Sequence, residues 1–81
     1  RLMNNNLNFD QAHWVSGEPP LMPLTCRAKI RHHPDFHDCI LTTNNAQQFQ
    51  LRFTNPQRAI TPGQSVVLYD KQICLGGGII F

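Results

Sequence analysis

Residues able to do chemistry gather between positions 26 and 39. His32, His33, His37 and Cys39 are all of kinds that bind zinc. Their spacing works against a closed site. Adjacent side chains on a strand point to opposite faces, so His32 and His33 diverge. His37 and Cys39 share a face, but two ligands do not complete a tetrahedral shell. A polar strand end is expected there, and no metal centre. The three cysteines, Cys26, Cys39 and Cys74, are widely spaced and contain no CxxC pair. That pattern argues against a secreted disulfide scaffold and for a reducing, intracellular setting. A reactive thiolate needs exposure and a lowered pKa. Cys26 alternates inward and Cys74 lies in an apolar strand end, so all three are expected as buried structural thiols.

Positive charge offers a second chemistry. The formal net charge is only +2 with the histidines neutral, too little to demand a nucleic-acid partner from bulk charge. Its placement says more. Cys26-Arg27-Ala28-Lys29-Ile30-Arg31 alternates strictly. As a strand it turns Cys26, Ala28 and Ile30 to a core and lines up Arg27, Lys29 and Arg31 outside. Three phosphate contacts from such a ladder give a slope of about −2 to −3 in log affinity against log salt. That is grip without sequence readout. The glycine run Gly76, Gly77, Gly78 lacks the following helix and the nearby Lys or Ser of a phosphate cradle. Its expected use is a sharp bend or a close approach to a neighbouring backbone. Trp14 is expected to pack against a barrel or a preceding domain, with base stacking as the alternative.

The elements that must position these residues read as β structure. At 81 residues, a single small domain buries only roughly 60–65% of its unfolded surface. A closed sheet suits that size because closure removes edges. Six prolines and five glycines call for short elements and tight turns. Residues 1–20 are polar and irregular and read as a linker from a preceding domain, with the barrel spanning residues 21–81. The first strand is the basic one, ended by His32-His33-Pro34-Asp35. A second runs from Phe36 to Thr43, and Asn44-Asn45-Ala46 turns the chain. The third, from Gln48 to Phe53, directs Phe49, Leu51 and Phe53 inward. Residues 54–61 read as a loop with brief pairing at Ala59 and Ile60. Thr61-Pro62-Gly63-Gln64 is a type II turn signal. Ser65 to Tyr69, Gln72 to Leu75, and Ile79 to Phe81 complete five or six mostly antiparallel strands. No apolar run is long enough to span a membrane. No signal peptide is visible, and a first residue of Arg1 fits a domain cut from a longer protein.

The residues 59–70, Ala-Ile-Thr-Pro-Gly-Gln-Ser-Val-Val-Leu-Tyr-Asp, are followed by Ile73-Cys74-Leu75-Gly76-Gly77-Gly78-Ile79-Ile80. Together with the basic strand and Trp14, this pattern resembles the C-terminal part of tRNA-specific 2-thiouridylases over residues 13–81. The resemblance implies an all-β barrel like the second domain of translation elongation factors. It implies a parent enzyme that uses ATP and Mg to place sulfur at the 2-position of the wobble uridine of certain tRNAs. It also implies a sulfur-donor relay protein, a cytoplasmic setting, and catalytic and central domains outside this chain, which itself carries no catalytic residue. Family tRNA contacts map onto Arg31 and His32 in the basic strand and onto Gln64 after the turn, with Lys29 and Arg27 weaker. The family often has Arg-Tyr-Arg where this chain has Arg31-His32-His33. That difference removes a stacking Tyr and adds pH dependence.

Overall fold

Alternating apolar residues and frequent turn residues produce strands joined by turns. The computed structural model describes residues 3–45, 47–58 and 60–81. Among them there are six strands and no helix: β1 (Asn4–Trp14), β2 (Leu24–Ile30), β3 (His37–Asn45), β4 (Gln48–Gln57), β5 (Ser65–Asp70) and β6 (Ile73–Ile80). They close into a barrel in the order β1-β4-β3-β2-β5-β6, with every neighbouring pair antiparallel. The meander β2-β3-β4 takes β1 on its far side, in the Greek-key manner. The β2–β5 and β1–β6 pairs then seal the sheet.

The inward residues of each strand meet in one core. Leu7, Phe9 and Trp14 come from β1, Cys26, Ala28 and Ile30 from β2, and Cys39 and Leu41 from β3. Phe49, Leu51 and Phe53 of β4, Val66 and Leu68 of β5, and Ile80 of β6 complete it. Trp14 is only 8% exposed. Its ring centroid lies 5.3 Å from Phe49 and 6.4 Å from Phe9. The packing use of Trp14 therefore holds, and burial leaves no face for a base.

Several expectations are corrected. Residues 4–14, read as an irregular lead-in, form the longest strand and two of the barrel's six seams. Its polar side chains misled because most face solvent, while Leu7, Phe9 and Trp14 turn inward and Ala12 packs partly against the core. A bulge at Gln11, whose φ is 50°, lets β1 change register between Asp10 and His13 as it follows β6. Phe36 lies outside β3, and β4 runs on to Gln57. Asn44 and Asn45 belong to β3. Ala46 and Ala59 are outside the described residues, and Ile60 packs on the core without joining a strand.

The glycine run does not interrupt the last strand. Gly76, Gly77 and Gly78 all sit within β6. A Cβ at Gly77 would overlap the Val66 carbonyl oxygen, and one at Gly78 would meet the Asp10 carbonyl and the Phe9 ring. Close backbone approach is thus the use, and the missing side chains leave the space that Phe9 fills. This run cannot act as an exposed docking edge, because β6 is paired on both sides. Nor does it fit the phosphates of a nucleotide, since its backbone is engaged in the sheet on both sides.

Candidate nucleic-acid interface

The strict alternation of β2 does what charge and periodicity dictate. Cys26, Ala28 and Ile30 are buried, while Arg27 and Lys29 stand on the outer face. The strand ends one residue early, at Ile30. Residues 30–33 form a turn in which the His33 amide donates to the Ile30 carbonyl at 2.9 Å. His32 holds a positive φ of 73° at its third position, as a type II turn requires. Arg31 and His32 are therefore exposed at a corner, and the Arg31 amide still donates to the Ser65 carbonyl at 2.9 Å.

Gln64 lies beside that corner. Its turn closes through the Gln64 amide and the Thr61 carbonyl at 3.2 Å, with Gly63 at φ 95°. The side-chain Oε1 of Gln64 accepts from the Thr61 amide at 3.0 Å, and Nε2 donates to the Arg31 carbonyl at 3.4 Å. The three sequence-predicted residues Arg31, His32 and Gln64 thus come together. Within the domain, however, the Gln64 amide serves to join two turns.

The basic ladder is uneven. Arg27 donates to the Lys71 carbonyl at 3.1 Å and lies 5.0 Å over the Phe36 ring, so its guanidinium is tied towards the Lys71 turn, with further N–H donors left over. Lys29 Nζ donates to the His33 carbonyl at 2.8 Å, which leaves two of its donors and its full charge. Among the described residues, no hydrogen bond or ion pair engages the Arg31 guanidinium. Across the ladder, Lys29 faces Val67 and Arg27 faces Tyr69. The result is an open groove of about 310 Å³ lined by Lys29, Arg31, His32, Ser65, Val67 and Tyr69. No carboxylate lines it. Its floor is uncharged and its rim is cationic, an arrangement suited to a phosphate backbone.

Val67 and Tyr69 were missed as site residues. The alternation of Ser65-Val66-Val67-Leu68-Tyr69 already turned them outward. What the sequence lacked was any sign that β5 pairs with β2.

The family described as "Aminomethyltransferase beta-barrel domain" matches residues 4–80 of this sequence. The chain belongs to that family. The barrel domain is also similar to parts of larger curated proteins. It is 46% identical over 79 residues, 98% of this chain, to the tRNA-specific 2-thiouridylase MnmA of Vesicomyosocius okutanii, covering 22% of that protein. The namesake in Xanthomonas euvesicatoria is also 46% identical over 79 residues, with 21% of its length covered. That of Alkalilimnicola ehrlichii is 46% identical over 81 residues, with 22% covered. The resemblance to 2-thiouridylases therefore stands, and the barrel domain spans about a fifth of the length of these relatives.

The remaining candidates behave differently. Cys26 and Cys39 face each other across β2 and β3, with sulfurs 3.8 Å apart. The hydrogen bond to Cys26 and burial push the Cys39 thiol far above its ordinary range. These two thiols are buried, as expected. Cys74 is exposed, which corrects its reading. A bulge in β6 lets two residues oppose one where Leu68 meets Gly76 and Tyr69 meets Cys74. The alternation slips there, and Cys74 shares the outward face of Tyr69. Around the histidines, Cys39 turns into the core, while the His33 and His37 rings meet edge to face at 6.3 Å.

Proposed function

We propose that this barrel is the C-terminal tRNA-contacting domain of a tRNA 2-thiouridylase. The observation that carries the reading is the carboxylate-free groove bounded by Lys29, Arg31 and His32. Similarity to relatives named for tRNA thiolation supports it. In this reading the ATP- and Mg-dependent transfer of sulfur to the wobble uridine takes place in the cytoplasm. Residues outside this chain perform it with a sulfur-donor relay protein, and the barrel contributes grip but no catalytic group. Lys29 and Arg31 make the phosphate contacts, His32 adds a donor at the corner, and Gln64 holds the corner in place. Arg27 contributes its charge without direct contact.

Two phosphate contacts give a salt slope of about −1.4 to −1.8. The test is a salt titration of tRNA binding by the full-length parent protein and its Lys29→Ala/Arg31→Ala variant. We expect weaker binding and a slope shallower by about that amount. An unchanged slope would show that the groove does not hold the backbone.

A second reading, a barrel that braces the catalytic domains, is favoured by a separate surface. Val15 and Ile73 are 66% and 68% exposed. With Pro20, Cys74 and Leu75 they border a largely apolar groove. An Ile73→Asp change in the parent would then lower its thermal stability and leave the salt slope intact. Unchanged stability would remove this reading.

A further inference from the structure

We propose that the β2–β5 groove seats one unstacked RNA base against the ring of Tyr69. The proposal rests on the tRNA-contacting reading above and names what lies between the phosphate contacts. Tyr69 lines the groove together with Val67. It is half-buried, so its ring is anchored while part of it stays open to solvent. Such an aromatic, with an apolar body and a polar tip, suits an interface that is dry at one end and wet at the other.

The surroundings hold that ring in place. Phe36 lies outside any strand and is 44% exposed. It meets Tyr69 edge to face at 5.2 Å and 79°. Arg27 covers the Phe36 ring at 5.0 Å and is itself tied to the Lys71 carbonyl. Segments from β2, the β2–β3 connection and β5 therefore converge to brace one aromatic side chain on the outside of the barrel. Phe36 and Arg27 contribute nothing to the core, so this brace has no part in holding the barrel's interior together. It does pre-set the orientation of Tyr69, which lowers the entropic cost of stacking a ligand on it.

Size and charge point to the ligand. About 310 Å³ lies at the small end of ligand sites. It admits a base and its sugar, but no duplex. Lys29 stands opposite Val67, and Arg31 lies one step further on, beside Ser65, so a phosphate linkage leading from the base on Tyr69 along that side meets two cations in turn. Stacking on a single ring tolerates any base, because every base has a π-face. The site therefore selects unpaired RNA over duplex and is indifferent to sequence.

The experiment measures binding of an unmodified tRNA transcript to the full-length parent. It compares wild type with Tyr69→Leu, Tyr69→Phe and Lys29→Ala/Arg31→Ala variants across a salt series. Tyr69→Leu is expected to weaken binding about 5- to 150-fold with the salt slope unchanged, and Tyr69→Phe to stay within about twofold of wild type. If Tyr69→Leu also stays within about twofold while the double variant loses its slope, the base site is wrong and the phosphate grip stands. If neither moves, both readings fall. Hydroxyl-radical footprinting of the wild-type protein removes dependence on how Tyr69→Leu folds. Saturating tRNA should protect Tyr69, and undiminished oxidation of Tyr69 would overturn the proposal.

Discussion

Gln64 uses both ends of its side-chain amide on the protein, one on Thr61 and one on the Arg31 carbonyl. A hydrogen bond of this exposed kind contributes about 0.5–1.5 kcal/mol. Gln64→Ala should therefore lower the unfolding free energy by about 1 kcal/mol, read by chemical denaturation. In tRNA binding it should act by loosening the Arg31 corner, leaving the salt slope steeper than in the Arg31→Ala variant. His37 carries a second prediction. Its Nε2 is buried without a hydrogen-bond partner among the described residues. Burial, and then the neighbouring His33, hold its pKa below the ordinary 6.5, against the opposing pull of Asp35. The folded state thus stays neutral where the unfolded state takes a proton. Stability from this residue is present above pH 6.5 and is lost as pH falls from there towards the lower folded value. Thermal melts between pH 8 and about 5 should show this fall, and His37→Gln should flatten it.

Strand β6 works because of what it lacks. A methyl group at Gly77 would have to displace the backbone of β5 at Val66, and backbone yields less readily than a side-chain tip. Gly77→Ala is expected to destabilise by on the order of 3 kcal/mol, a large part of what a small domain has. Gly63→Ala is the contrasting case. Nothing lies within 4 Å of its added Cβ, but φ is +95°, so only the left-handed backbone cost of about 1–2 kcal/mol applies. Denaturation of the two variants should rank them in that order. Element by element, β2 and β5 were legible in the sequence because each has a clean period-two pattern with one apolar face. The inner half of β4 was legible for the same reason. The glycine run was harder to read. Glycine marks both bends and close approaches, and only the neighbouring strands tell the two apart. Cys74 was misread because a bulge shifts the alternation, and a bulge leaves no reliable mark on a single strand.

For the whole molecule, the consequential element is β1, because it joins β4 to β6 and closes the barrel. A chain beginning at Val15 would leave β4 and β6 as open edges and uncover Phe49 and Ile80. It should fail to fold cooperatively and should aggregate, as unprotected edges do. Far-UV circular dichroism and size-exclusion chromatography would show this. A well-folded monomer from that truncation would restore the reading of residues 1–20 as a linker. By itself the sequence determined the all-β class, most strand positions, the buried Cys26 and Cys39, the outward Arg27, Lys29 and Arg31, and the turn that ends at Gln64. These follow from local rules: side-chain alternation, proline and glycine geometry, and the polarity of each face. Only the tertiary structure decided that β5 lies beside β2, that Arg27 is held by Phe36 and Lys71, and that β1 completes the sheet. Those facts depend on contacts between residues far apart in the chain, such as Lys29 with Val67 and Phe9 with Ile80. Short turns encode the β3–β4 and β5–β6 hairpins, but no local pattern encodes which distant strands pair. The groove bounded by Lys29, Arg31 and Tyr69 exists only once that choice is made.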